Sequence, residues 1–316
     1  MVCFCGVVRV GWRRRRGLPM KILQCVPNFS EGRDPSFLKE LEVVLAQYPV
    51  KTLDLTMDRD HNRAIITFLG APDVVEACAM AVTSRALDLI DMRKHKGSHP
   101  RMGAVDAVPF VPIRDMTMAE AVGIARRFGK AFAERHRIPV FFYEEACTSE
   151  GRRNLADIRK GEYEGMAKKL QDPAWVVDAG PQALHEKSGV TAVSARMPLV
   201  ALNVNLHTND LEVAKKIANA VRHAGGGLRF VRAIGLRLEA KGIVQVSMNL
   251  VNYQKTPIPR ALELVKIEAA RYGVLVKECE LVGLVPIEAL EDVVRHYLQI
   301  PGFSARQVIE YHLLSY

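Results

Sequence analysis

The stretch VKTLDLTMDRDHNRAIITFLGAPDVVEACAMAVTSRALDLI, residues 50–90, decides the architecture. VKTLDLTM, residues 50–57, reads as a strand, polar and apolar side chains alternating from Thr52 to Met57 as they do in a strand with one face in a core. RAIITFLG, residues 63–70, is short and rich in β-branched and aromatic side chains, which predicts a second strand. Pro72 stands where the first turn of a helix tolerates a missing N–H, so a helix is predicted over residues 72–90. Upstream, KILQCVPN (21–28) reads as a strand and residues 35–48 as an amphipathic helix; downstream, GAVDAVPFVP (103–112) is a further strand. The order is β-α-β-β-α-β, extended by a helix over 118–135 and a strand at IPVFFY, residues 138–143.

After a less regular middle, residues 149–198, the same order recurs. PLVALNVNL (198–206) precedes a helix over 211–223, RFVRAIGLRL (229–238) and GIVQVSMNL (242–250) follow, and a helix over 257–271 leads into GVLVKECEL (273–281). Two such rounds predict an α+β chain of two ferredoxin-like subdomains, residues 20–198 and 199–316, each a sheet covered by helices on one face, with a ligand cleft between them. The second ends in a helical tail. Asn203 and Asn205 share one side of their strand, and Gln245, Ser247 and Asn249 share one side of theirs. Both a solvated open face and a polar floor for a ligand fit that pattern.

The net charge of +9 overstates how basic the body is, because Arg9 and Arg13 to Arg16 supply five of those charges within nineteen residues that hold no acid, which leaves +4 for the rest. That balance suits small anionic ligands better than nucleic acid, which calls for a denser basic face and, for RNA, aromatic pairs on a sheet. Residues 1–19 read as a disordered arm or an over-extended start, since a strand begins cleanly after Met20. The six cysteines are scattered without paired spacing, which points to reduced thiols and a cytoplasmic protein, and no run approaches the ~20 apolar residues of a membrane span.

HKGSHPRMG, residues 95–103, concentrates chemistry where a plain turn would serve. His95 and His99 are four apart, but Gly97 and Pro100 argue against a helix, so that spacing does not place both imidazoles on one metal; no metal is expected. Pro100 biases His99 toward extended backbone, and Gly97 and Gly103 permit close backbone approach or positive φ. Lys94, Lys96 and Arg101 would disfavour an imidazolium and could hold substrate carboxylates. On the residues alone, a solvated basic loop and an acid–base site both remain open. AGGGL, residues 224–228, follows a helix and precedes a strand, the reverse of a phosphate loop, and reads as a helix end with a tight turn.

CVPNFSEGR (25–33), DHNRAIITFLG (60–70), LIDMRKHKGSHPRMGAVDAVPFVPI (89–113), RKGEYEG (159–165), QVSMNL (245–250) and LVGLVP (281–286) resemble the glutamate formimidoyltransferase family, which includes the formiminotransferase domain of formimidoyltransferase-cyclodeaminase. The resemblance implies transfer of a formimidoyl group from N-formimidoyl-L-glutamate to tetrahydrofolate as co-substrate, in histidine breakdown, with folate bound between two ferredoxin-like subdomains. It also implies that His99, in HPRMG, is the general base. The candidate substrate and folate-binding residues are Asn62, Arg63, Lys94, Lys96, Arg101, Asp178, Gly180, Pro181, Asn203, Asn205, Gln245 and Asn249. Of these, Asp178, Gly180 and Pro181 match with Trp175 a W-x-x-D-x-G-P stretch that precedes the family's folate segment; after Pro181 the sequence departs from the pattern. The chain stops at Tyr316 without a helical cyclodeaminase domain, so a separate cyclodeaminase is the expected partner for the next step, and a homodimer is expected. Glutamate formyltransferase, or a folate- or amino-acid-binding protein without turnover, are the alternatives.

Overall fold

The computed structural model describes residues 20–97 and 99–313, so the predicted arm lies outside the described residues. The chain builds two sheets. The first contains β1 (Ile22–Cys25), β2 (Asn28–Phe29), β3 (Lys51–Asp58), β4 (Arg63–Gly70), β5 (Val105–Arg114), β6 (Val140–Glu144) and β7 (Thr191–Ala195). β1 and β2 both lie antiparallel between β4 and β5, β3 pairs with the outer side of β4, and β7 and then β6 add in parallel beyond β5. The predicted strand 21–28 is therefore one path broken at Val26 and Pro27, where proline has no N–H to give the ladder. The second sheet, β8 (Val200–Leu206), β9 (Val231–Leu238), β10 (Ile243–Leu250) and β11 (Val276–Val282), is antiparallel in the order β11-β8-β10-β9.

Helices α1 (Pro35–Leu45), α2 (Pro72–Leu89) and α3 (Met118–His136) bury one face of the first sheet, with Phe68, Phe110, Phe128 and Phe132 fully enclosed. Each begins where the sequence marks it. Asp34 accepts the Ser36 amide ahead of Pro35, and Thr117 and Glu120 form a reciprocal capping box that satisfies two otherwise orphaned amides of α3. The single-faced cover predicted for this sheet is not what forms. Alternate residues of β6 and β7, Phe141, Tyr143 and Ala192, turn the other way into a second cluster under α4 (Leu155–Arg159) and α5 (Glu162–Lys169), with Ile158 and Met166 at its centre. Those two helices and β7 arise from the stretch that reads as irregular, and they carry α5 to the HKGSHPRMG loop.

In the second unit α6 (Leu211–Val221), α7 (Ile258–Ala270) and α8 (Ile287–Tyr297) share a core with the sheet around Val204, Val246, Ile217 and Val265, and α9 (Ile309–Leu313) is the last element of the described residues. Residues 224–228 form the tight turn expected after a helix, with Gly226 at φ +91°. Among the described residues no helix is long and apolar enough to cross a membrane.

Candidate active site

The 95–103 loop is pressed against the turn between β3 and β4, and glycine makes the approach possible. A Cβ on Gly97 would lie 2.4 Å from the His61 carbonyl oxygen, and one on Gly103 would lie 2.2 Å from that of Val190. Neither has positive φ, so close approach is the operative need. The turn is locked by Asn62, buried at φ +49°, whose Oδ1 accepts the Gly32 amide at 2.8 Å and whose Nδ2 donates to the Lys96 carbonyl at 2.9 Å. His95 places Nε2 3.0 Å from the Asn62 carbonyl.

His99 is half-buried in a void of about 10 Å³ lined by Phe29, Ser30, His61, Asn62, Arg63, His95, Arg101 and Asp106. Arg63, at the start of β4, sets Nη1 3.0 Å from Nδ1 and closer still to Nε2 of the His99 ring, and its Nη2 donates to Asn28 Oδ1. An arginine offers only donors, so the ring nitrogen it faces must keep its lone pair, and the imidazole is neutral. Burial, the Arg63 guanidinium and then Arg159 push the His99 pKa down to about 3, against a smaller opposing pull from Asp106. The neutrality expected from Lys94, Lys96 and Arg101 thus has a different source: both lysines point into solvent.

Arg101 is not a free cation either. It is 7% exposed, donates to Glu162 at 2.6 Å and to both Glu164 carboxylate oxygens at 2.8 and 2.5 Å, and sets Nε 3.2 Å from His95 Nδ1. The acids come from the RKGEYEG segment, whose Arg159 pairs in turn with buried Asp106. Asp106 Oδ1 accepts the Met102 amide at 2.9 Å, so one carboxylate fixes the loop exit and the arginine together. An open depression of about 400 Å³ lies on the other side of Arg101, lined by Lys96, Gly97, Gly161, Glu162 and Glu164. Arg101 is the wall shared by this depression and the His99 void.

The remaining predicted residues gather elsewhere. Asp178 accepts the Phe142 amide at 2.7 Å and the Thr148 hydroxyl, and Gly180, at φ +88°, faces the Ile138 carbonyl, so the segment ending in Pro181 is stitched to the outer strand β6. Gln245 donates to Asn205 at 2.8 Å, Asn205 to Glu278 at 2.9 Å and Asn203 to Glu280 at 3.3 Å, which makes a polar belt across β10, β8 and β11 with Asn249 exposed at its end. Among the described residues no hydrogen bond joins that belt to His99. Sequence reasoning missed Asn28, Arg159, Glu162 and Glu164 as parts of the site, although CVPNFSEGR and RKGEYEG contain them.

The low pKa of His99 has a measurable consequence. An ordinary imidazole in the unfolded chain takes up its proton first as pH falls, so the contribution to stability is full above about 6.5 and is lost progressively toward pH 3. Urea midpoints at pH 7 and 4.5 should therefore drop less for His99→Gln than for the wild type; equal drops would remove His99 as the source.

Comparison with known proteins places the chain in a family. The family model described as "Formiminotransferase domain, N-terminal subdomain" matches residues 22–196, and that described as "Formiminotransferase domain" matches residues 201–310. Glutamate formimidoyltransferase of Streptococcus pyogenes is 45% identical over 93% of this chain and 99% of its own length, and that of Thermoplasma acidophilum is 46% identical over 92% and 97%. Formimidoyltransferase-cyclodeaminase of Gallus gallus is 41% identical over 88% of this chain, which spans 53% of that longer protein.

Proposed function

This chain belongs to the formiminotransferase family, and we propose that it moves the formimidoyl group of N-formimidoyl-L-glutamate to tetrahydrofolate, releasing L-glutamate, with His99 as the general base. The observation that supports the base is a neutral imidazole held between Arg63 and His61 at the wall of a cavity. The attacking amine of the folate adds to the electrophilic amidine carbon and sheds its proton to His99; the protonated ring then gives that proton to the glutamate nitrogen, which leaves as the amine when its C–N bond breaks. Nothing covalent to the protein is needed, so orientation and proton removal carry the rate. The strand orders support two ferredoxin-like subdomains; in this reading folate is taken between them.

A donor comparison tests the reading. With tetrahydrofolate and one preparation, N-formimidoyl-L-glutamate should be consumed and L-glutamate appear in equal amount, while N-formyl-L-glutamate is turned over at least about tenfold less well, the size of a preference worth one charge-assisted contact. Faster turnover of the formyl donor would move the activity to formyl transfer, and no turnover of either would leave a binding protein.

A further inference from the structure

Charge bookkeeping around His99 leaves one arginine over. Arg63 and Arg159 both act on the ring, and the one carboxylate that acts with them, Asp106, is committed to Arg159 and to the Met102 amide. Arg101 has two glutamates of its own. Among the described residues Arg63 makes no ion pair: its side-chain hydrogen-bond contacts are Asn28 and the His99 ring, Asp106 acts on it only through space, and its Nε is sealed from solvent with no acceptor. A withdrawn, unpaired guanidinium is costly unless an anion completes it, and its fork geometry matches a carboxylate. Asn28, whose own Nδ2 donates to the Val26 carbonyl at 2.6 Å, fixes the direction in which that fork points.

Which carboxylate follows from the chemistry of the donor. In an N-substituted glutamate the nitrogen that gives up the one-carbon group sits on the same carbon as the α-carboxylate, while the side-chain carboxylate is three carbons further on. The base must lie within hydrogen-bond reach of the reacting nitrogens, and Arg63 is in contact with that base. We propose that Arg63 receives the α-carboxylate of the amino-acid donor, and that this pairing draws its Nη1 off the His99 ring and frees the ring's lone pair for proton removal. The proposal rests on the transfer reading above. Substrate binding and activation of the base then become one event: without the α-carboxylate, Arg63 continues to occupy the lone pair.

Calorimetric titration of the intact protein with L-glutamate, 4-aminobutyrate, which lacks the α-carboxylate, and L-2-aminobutyrate, which lacks the side-chain carboxylate, separates the contacts. The wild type should bind glutamate about 10- to 100-fold more tightly than 4-aminobutyrate, the range of a charge-assisted pair. Arg63→Gln should bring glutamate and 4-aminobutyrate to within about threefold while leaving the ratio of glutamate to 2-aminobutyrate unchanged. Arg63→Lys, which keeps charge but not the fork, should fall between, and it carries the test if Arg63→Gln does not fold. A full preference for glutamate in either variant, or no preference in the wild type, overturns the proposal. Transfer to tetrahydrofolate is assayed separately on the wild type. Binding as described without transfer sinks only the transfer reading, and transfer with an unchanged preference in the variants sinks only the role of Arg63.

Discussion

His99→Ala is expected to lower the single-turnover rate of formimidoyl transfer by about 10²- to 10⁴-fold, the usual share of a positioned general base. The protein should stay folded, because the ring is half-buried at a loop and the loop's anchors, Asn62, Asp106 and the two close-packed glycines, do not pass through it. Affinity for L-glutamate should be kept or improved, since the Arg63 guanidinium loses a competitor for its donors. A KM that holds while kcat collapses is the signature of a group acting on the transition state. Turnover within about threefold of the wild type, with both substrates saturating, would remove His99 from the role. His95→Ala is the informative contrast: its ring is tied to the Asn62 carbonyl and to Arg101, so its removal should loosen the loop and raise KM rather than abolish the chemistry.

How much of this was legible beforehand depended on whether a residue's environment is local. The strands of both rounds and helices α1, α2, α3, α6 and α7 carry their own period and caps, so they read directly from the chain. β7 is TAVSA, five small residues fully buried between two other strands, with no alternation to announce it. The site divides the same way. HPRMG singles out its histidine through a neighbouring proline, but the basic residues around it look like a solvated patch until their partners are known. Arg101 finds Glu162 and Glu164 61 and 63 residues away, and Arg63 meets His99 across 36. Those distances are closed by α5 and by the β3–β4 turn, so which cations are neutralised and which one is left over is a property of the fold.

Asp106→Ala is the substitution expected to cost most stability. Its carboxylate is 4% exposed and serves two buried groups, the Arg159 guanidinium and the Met102 amide. Removing it leaves a withdrawn cation and an orphan N–H together, and breaking such a pair from one side typically costs about 3–5 kcal/mol. Against a total of about 5–15 kcal/mol for a domain, that should be plain as a lowered urea midpoint with an unchanged slope. Asp106→Asn keeps an oxygen for Met102 and loses only the charge, so it should fall well short of the alanine variant; equal losses would mean the amide contact contributes nothing. The asparagine variant also removes the negative charge that acts on Arg63 through space and on Arg159 directly. It should bind L-glutamate more tightly, because the site is then more positive, yet transfer more slowly, because the Asp106 charge is the largest influence raising the His99 pKa and without it the ring is a weaker base. Tighter binding with slower chemistry separates this electrostatic role from simple damage, which would weaken both.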